Sequence, residues 1–161
     1  MPFVYGVVPG ANFTTSGVAN TEVDALFIKP GASRCVSMIA AQVQGKGANL
    51  TSLSGIMQRV KKWTTTASSG GTAITPSPRD PGAQAAKATA GQASAGVTPG
   101  TGGPVLQLAF GCSGSGPGNW SWLNNPDAAV LLEGGANQSI DFFNVSAAPS
   151  LLHELSVDIQ E

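Results

Sequence analysis

His153 is the only histidine in the chain, so any Ser–His or Cys–His nucleophilic mechanism has to run through it, because a hydroxyl or thiol needs a nearby base at neutral pH. The nucleophile would be one of many serines or one of the two cysteines, Cys35 and Cys112. The neighbours of His153 argue against that use. Leu151, His153, Leu155, Val157 and Ile159 alternate with Leu152, Glu154, Ser156, Asp158 and Gln160, the period of a strand with one buried face. A histidine between two leucines on that face is expected to be a packed, hydrogen-bonded residue. One histidine and two distant cysteines offer no Cys-x-x-Cys spacing, so no zinc centre is expected. The nine carboxylates are scattered. A glycosidase would need two of them about 5–9 Å apart, and nothing in the spacing brings two together. Positions such as Asp24, Glu154 and Asp158 fall on outward strand faces, where solvation accounts for them. An oxygen-ligated calcium site among Asp127, Glu133 and Asp141 is the remaining alternative. Gly111 to Gly118 lack the Gly-Lys-Ser/Thr ending of a phosphate loop. No catalytic, cofactor or metal residue is assigned, and the chain reads as a non-enzyme.

Residues suited to protein contact are easier to find. Arg59, Lys61 and Lys62 gather three of the eight basic residues beside Trp63. They read either as the charged guard of a strand edge or as a contact with an acidic patch on a partner. Trp120 and Trp122, flanked by glycines, are either core or interface anchors. Phe3 and Tyr5 near the N-terminus and Arg79 in a proline-rich stretch complete the candidate interface set. Charged residues make up 11% of the chain and the net charge is −1, too few bases for a phosphate-binding footprint, so nucleic acid is not an expected partner. No apolar run approaches the ~20 residues of a membrane span, and the N-terminus does not resemble a secretory signal. Cys35 and Cys112 could pair if the fold brought them together, but with no export signal the two cysteines are expected to be buried, reduced thiols.

The elements that must carry these residues are strands. Thr21 to Lys29 is β-rich and stops at the Pro30-Gly31 turn. Arg34 to Gln44 is apolar enough to be buried on both sides. Ile56 to Thr66 shows both helical and strand spacing, and the Thr64-Thr65-Thr66 tail favours a strand. Val105 to Gly111 alternates. Asn119 to Trp122 reads as a short aromatic strand or turn. Ala129 to Glu133 and Ser139 to Val145 look like hairpin partners across Gly134-Gly135. Residues 67–104 turn to Ala, Gly, Ser, Thr and Pro, which cannot form a core of their own. Within them, Asp80-Pro81 supplies an N-cap and first-turn proline for a short surface helix over 82–88. The whole is expected to be all-β, one jelly-roll-like sandwich domain over 1–161 with 67–104 as a long surface excursion. Deleting Ser77 to Thr101 is expected to leave that fold intact.

Gly70-Gly71-Thr72-Ala73-Ile74-Thr75-Pro76-Ser77-Pro78-Arg79-Asp80-Pro81-Gly82-Ala83-Gln84-Ala85-Ala86-Lys87 and the closing Leu155-Ser156-Val157-Asp158-Ile159-Gln160-Glu161 resemble small virion proteins of tailed bacteriophages. This is a likeness of strings and composition. It is similar in outline to the capsid decoration, or cement, proteins, which implies a jelly roll that sits as a homotrimer on the outer shell, made in the host cytoplasm. It implies contact with major capsid protein subunits and no cofactor. A trimer would also bury apolar strand positions such as Leu26, Ile28 or Leu152 that a monomer would leave wet. The alternative is a tail, fibre or baseplate component, or a carbohydrate-binding module using exposed tryptophans.

Overall fold

The computed structural model describes residues 2–10, 13–14, 21–45, 55–92, 97–102, 107–113, 119–123, 130–135, 137–146 and 152–161. No helix occurs among them. The strands in chain order begin with β1 (Val4–Val7), β2 (Phe13–Thr14), β3 (Thr21–Lys29), β4 (Val36–Gly45) and β5 (Gly55–Trp63). Three short ones follow, β6 (Thr72–Ile74), β7 (Ser77–Pro78) and β8 (Thr89–Gln92). The last are β9 (Gln107–Ser113), β10 (Asn119–Leu123), β11 (Val130–Leu132), β12 (Ser139–Ser146) and β13 (Leu152–Gln160).

They form two antiparallel sheets. Sheet A runs β10-β4-β13-β1-β7, with β11 also on β4 and β2 on β13; sheet B runs β6-β8-β3-β12-β5-β9. With the shortest strands β2, β6, β7 and β11 set aside, sheet A runs β1-β13-β4-β10 and sheet B runs β8-β3-β12-β5-β9. One core cluster joins the two sheets. Sheet A contributes Tyr5, Val7, Val36, Met38, Ala41, Val43, Leu155, Val157 and Ile159; sheet B contributes Leu26, Ile28, Val60, Ile140 and Phe142. These are the alternating apolar positions of their strands, and each large side chain fully buried contributes about 1.5–3 kcal/mol relative to exposure. Leu26 and Ile28 are fully buried here, so they are not wet positions that a trimer would have to cover. The side chain of Leu152 lies outside the described residues.

Two bulges break the alternation. In β4, Asp158 of β13 faces Ala40 while Ile159 faces Met38, which leaves Ile39 as the extra residue. Burial therefore passes from Val36 and Met38 to Ala41 and Val43, while Gln42 and Gln44 are exposed. That strand is buried on one side only, and the appearance of two buried sides came from the parity change. In β3, Phe142 of β12 faces Leu26 and Phe143 faces Asp24, so Ala25 is the extra residue.

The excursion is woven into the sandwich. β8 pairs with β3, β6 with β8, and β7 with β1, and Ala88 and Ala90 belong to the core. Its small residues bury themselves against other strands. The expected helix over 82–88 does not form. Asp80 holds a single turn, accepting from the Gly82 N–H at 2.8 Å and, through its carbonyl, from the Ala83 N–H at 3.0 Å. The Lys87 and Ala88 N–H groups then donate to the Glu161 carboxylate, the first at 3.0 Å, so they never turn back to a helical carbonyl. The expected hairpin across Gly134-Gly135 is also absent, because β11 pairs with β4 in sheet A and β12 with β3 and β5 in sheet B. That turn carries the chain between sheets, with Gly135 at φ 73° and its N–H on the Gly31 carbonyl at 3.0 Å.

Candidate functional site

The face of sheet A turned away from the core is broad and sparsely charged. Along β4 and β13 it carries Ser37, Gln42, Gln44, Glu154, Ser156, Asp158 and Gln160, positions that alternate with the buried ones. β10 extends the sheet beyond β4, with Asn119, Ser121 and Leu123 at register positions opposite Gln44, Gln42 and Ala40. Arg79 crosses over Gly6, where an added Cβ would meet its guanidinium at 3.1 Å, and pairs with Asp158 at 2.5 Å. Large exposed apolar side chains beside the face are Val8 and Leu131. Val8 and Pro9 also line a shallow cleft of about 100 Å³ with Gln42, Gln44, Glu154, Leu155 and Ser156.

Where β1, the end of β13 and the excursion meet, Phe3, Tyr5, Arg34, Gln84, Ala85, Lys87 and Glu161 line a second cleft of about 250 Å³. Tyr5 is buried and donates its hydroxyl to the Gln84 carbonyl at 3.0 Å. The Glu161 carboxylate is occupied by the Lys87 and Ala88 backbone. Arg34 and Lys87 are exposed, and neither makes an ion pair among the described residues, so the cleft sets two cations and the Glu161 carboxylate beside aromatic walls.

The third feature lies on the outer side of sheet B. Ser139, Asp141 and Phe143 alternate with the core residues Ile140 and Phe142 and therefore face away from the core. Residues 64–71 and 97–102 form a roof over them, held together by the Thr66–Thr101 and Ser69–Thr98 bridges. Gly100 rests on the Trp63 indole so closely that an added Cβ would come within 2.6 Å of its Cγ. Beneath the roof Asp141 is completely buried. Its Oδ1 accepts from Ser139 Oγ at 2.7 Å and its Oδ2 accepts a short hydrogen bond from Ser68 Oγ. Ser68 Oγ in turn accepts from the Gly100 N–H at 2.7 Å, and the Ser68 N–H donates to Ser139 Oγ at 3.0 Å.

Asp24 lies beside Asp141, placed there by the bulge at Ala25; its buried oxygens complete no well-formed hydrogen bond, although the Ala25 N–H lies close enough to favour the ionised form. Burial, then the charge of Asp141, push its carboxyl up to about 8. Burial also raises Asp141, while hydrogen bonds from Ser68 and Ser139 favour its ionised form. The arrangement is that of one proton held between two carboxylates: Asp141 accepts on both oxygens, and a protonated Asp24 supplies the missing donor. Trp63 lies close enough to favour ionised Asp141, but its buried Nε1 completes no well-formed hydrogen bond. The expectation of Asp24 as a solvated carboxylate fails here. The visible signal was Asp141 itself, flanked by Ile140, Phe142 and Phe143 in the strand. The bulge that brings Asp24 to it leaves no mark in the sequence.

The remaining candidate residues are dispersed. Phe3 and Tyr5 share the larger cleft, and Arg79 lies on the outer face of sheet A beside it. Arg59, Lys61 and Lys62 do not guard an edge, since β5 runs between β12 and β9. Lys61 Nζ sits over the Phe143 ring at 4.9 Å and the Trp63 ring at 5.8 Å. Lys62 Nζ donates to the Leu131 carbonyl at 2.6 Å, tying sheet B to sheet A. Arg59 is half-buried, at a register position opposite Phe143. Trp120 and Trp122 occupy register positions opposite Val43 and Ala41, and their side chains lie outside the described residues. So do the side chains of His153 and Cys112, and the whole of Asp127. Glu133 is exposed, and no cluster of three or more metal-ligating residues occurs among the described residues. Cys35 is a free, exposed thiol, contrary to the expected burial, because it precedes β4 on the side opposite buried Val36. No protein-family model, curated protein or solved structure matches the chain.

Proposed function

We propose that the protein is a structural virion component that binds the outer surface of a tailed-phage capsid, as a homotrimer, and stabilises contacts between major capsid protein subunits. The observation that carries this reading is the outer face of sheet A. It is wide and rich in amide and hydroxyl groups, and its charged groups at described positions are the Arg79–Asp158 pair and Glu154. Such a face suits a wet protein interface of large area, where ordered water bridges polar groups and few charges have to be desolvated. Exposed Arg34 and Lys87 of the larger cleft add a point of electrostatic selectivity for acidic groups on the shell. We read the two antiparallel sheets as a jelly-roll-like sandwich, a wiring shared by viral capsid and lectin domains; this supports the proposal as a fold analogy only.

The test is co-sedimentation of the purified protein with undecorated capsids and, separately, with free coat protein. Binding to assembled shells but not to free subunits is expected. Gln42→Arg with Ser156→Arg, which places two charges on the face without touching the core, is expected to weaken shell binding at least tenfold. Absence of binding to the shells of its own phage, or undiminished binding by the double variant, would sink the proposal.

A further inference from the structure

The roof over sheet B rests on a polar anchor. Ser68 is the one roof residue described as hydrogen-bonded to the floor carboxylate, and it simultaneously holds Gly100 from the second roof segment. Ser68 thus links both roof segments to the carboxylate, while Asn137 holds the first segment separately, accepting from the Ala67 N–H at 3.2 Å and donating to the Thr65 carbonyl at 3.0 Å. Without a proton shared with Asp141, both buried oxygens of Asp24 lack a hydrogen-bond partner, so closure of the roof depends on that proton.

We propose that the Asp24–Asp141 pair is a proton-dependent latch: with one proton held between the two carboxylates the roof stays closed on Trp63 and Phe143, and loss of that proton loosens it. The charge argument is local. A second buried negative charge cannot be offset from above, since 64–71 and 97–102 contain no titratable residue, and neither do β6 and β8. From β5, Lys61 and Arg59 occupy the register positions opposite Asp141 and Phe143, and Lys61 is drawn onto the two aromatic rings. On β3, Lys29 lies over the Phe27 ring at 5.2 Å, and Glu22 has the register position opposite Val145. Two like charges side by side in a poorly hydrated site repel strongly, and the movable part around them is the roof. The raised carboxyl of Asp24 places the transition at neutral to mildly alkaline pH. The latch does not depend on the capsid reading.

Carboxyl-carbon and amide NMR on the full chain between pH 5 and pH 10 tests it. One of the two aspartates is expected to titrate several pH units above an ordinary carboxylate, with the Ser68 and Gly100 amides shifting at the same midpoint. In Asp24→Asn, whose amide can donate permanently to Asp141, those two amides are expected to stop titrating. Both carboxyls titrating near 4, or a high titration that leaves the roof amides unmoved, overturns the latch. Should the variant not fold, the wild-type titration alone decides between these outcomes.

Discussion

At the scale of single residues, the carboxyl pair couples folding to pH. The folded chain keeps Asp24 protonated up to about 8, whereas the ordinary value is 3.8. Between those values the folded state binds a proton that the unfolded state releases, so stability is highest below the window and falls as pH rises through it. The slope is up to about 1.4 kcal/mol per pH unit. Thermal melts from pH 4 to pH 9 are expected to show this decline, and Asp24→Asn is expected to flatten it and to be more stable than wild type at pH 9. Asp141→Asn is expected to behave differently. It places an NH₂ where one of the two serine hydroxyls now donates, and loss of a hydrogen bond to a charged group should lower stability by about 1.5–3 kcal/mol at pH 5. Equal melts for the two variants across the range would contradict the division of roles between the aspartates.

At the scale of elements, the roof and the excursion make predictions of opposite kind to a surface loop. Gly100→Ala puts a methyl against the Trp63 ring and the Thr66 carbonyl and is expected to destabilise by about 1–3 kcal/mol, the range for overpacking. Deleting Ser77 to Thr101 removes β8, Ala88 and Ala90, so the product is expected to lose cooperative melting. This reverses the outcome expected from composition. The reversal shows what sequence patterning can carry. Strands such as β13, where Leu155, Val157 and Ile159 alternate with polar residues, were legible because burial on one face writes a period of two. β8 was not, because Thr89-Ala90-Gly91-Gln92 is buried by what packs on it: Gly91 lies under the Phe27 ring, which an added Cβ would meet at 2.5 Å. The bulges at Ala25 and Ile39 were equally hidden, since each changes which face a residue occupies without changing its type. Half of the carboxyl pair went unread for that reason, as did the exposed side of β4.

At the scale of the molecule, most large apolar strand residues among those described are buried, so the proposed assembly would be driven through polar faces and through isolated contacts such as Val8 and Leu131. Light scattering over a dilution series is expected to give a trimer, and Leu131→Asp to shift it toward monomer; a monomer at every concentration would remove the trimer from the proposed function. One further property follows from the pairing of β1 with β13. Phe3 and Glu161 exchange backbone hydrogen bonds at 3.0 and 3.1 Å, so two attachment points near these residues would sit side by side at one end of an antiparallel ladder. A pull between them would break that ladder one rung at a time, like a zipper, whereas a load spread across the face of sheet A would strain many rungs together. The molecule is therefore expected to be mechanically soft when stretched by its ends and stiff when gripped by its face. A component that resists internal pressure in a shell would have to be held by that face.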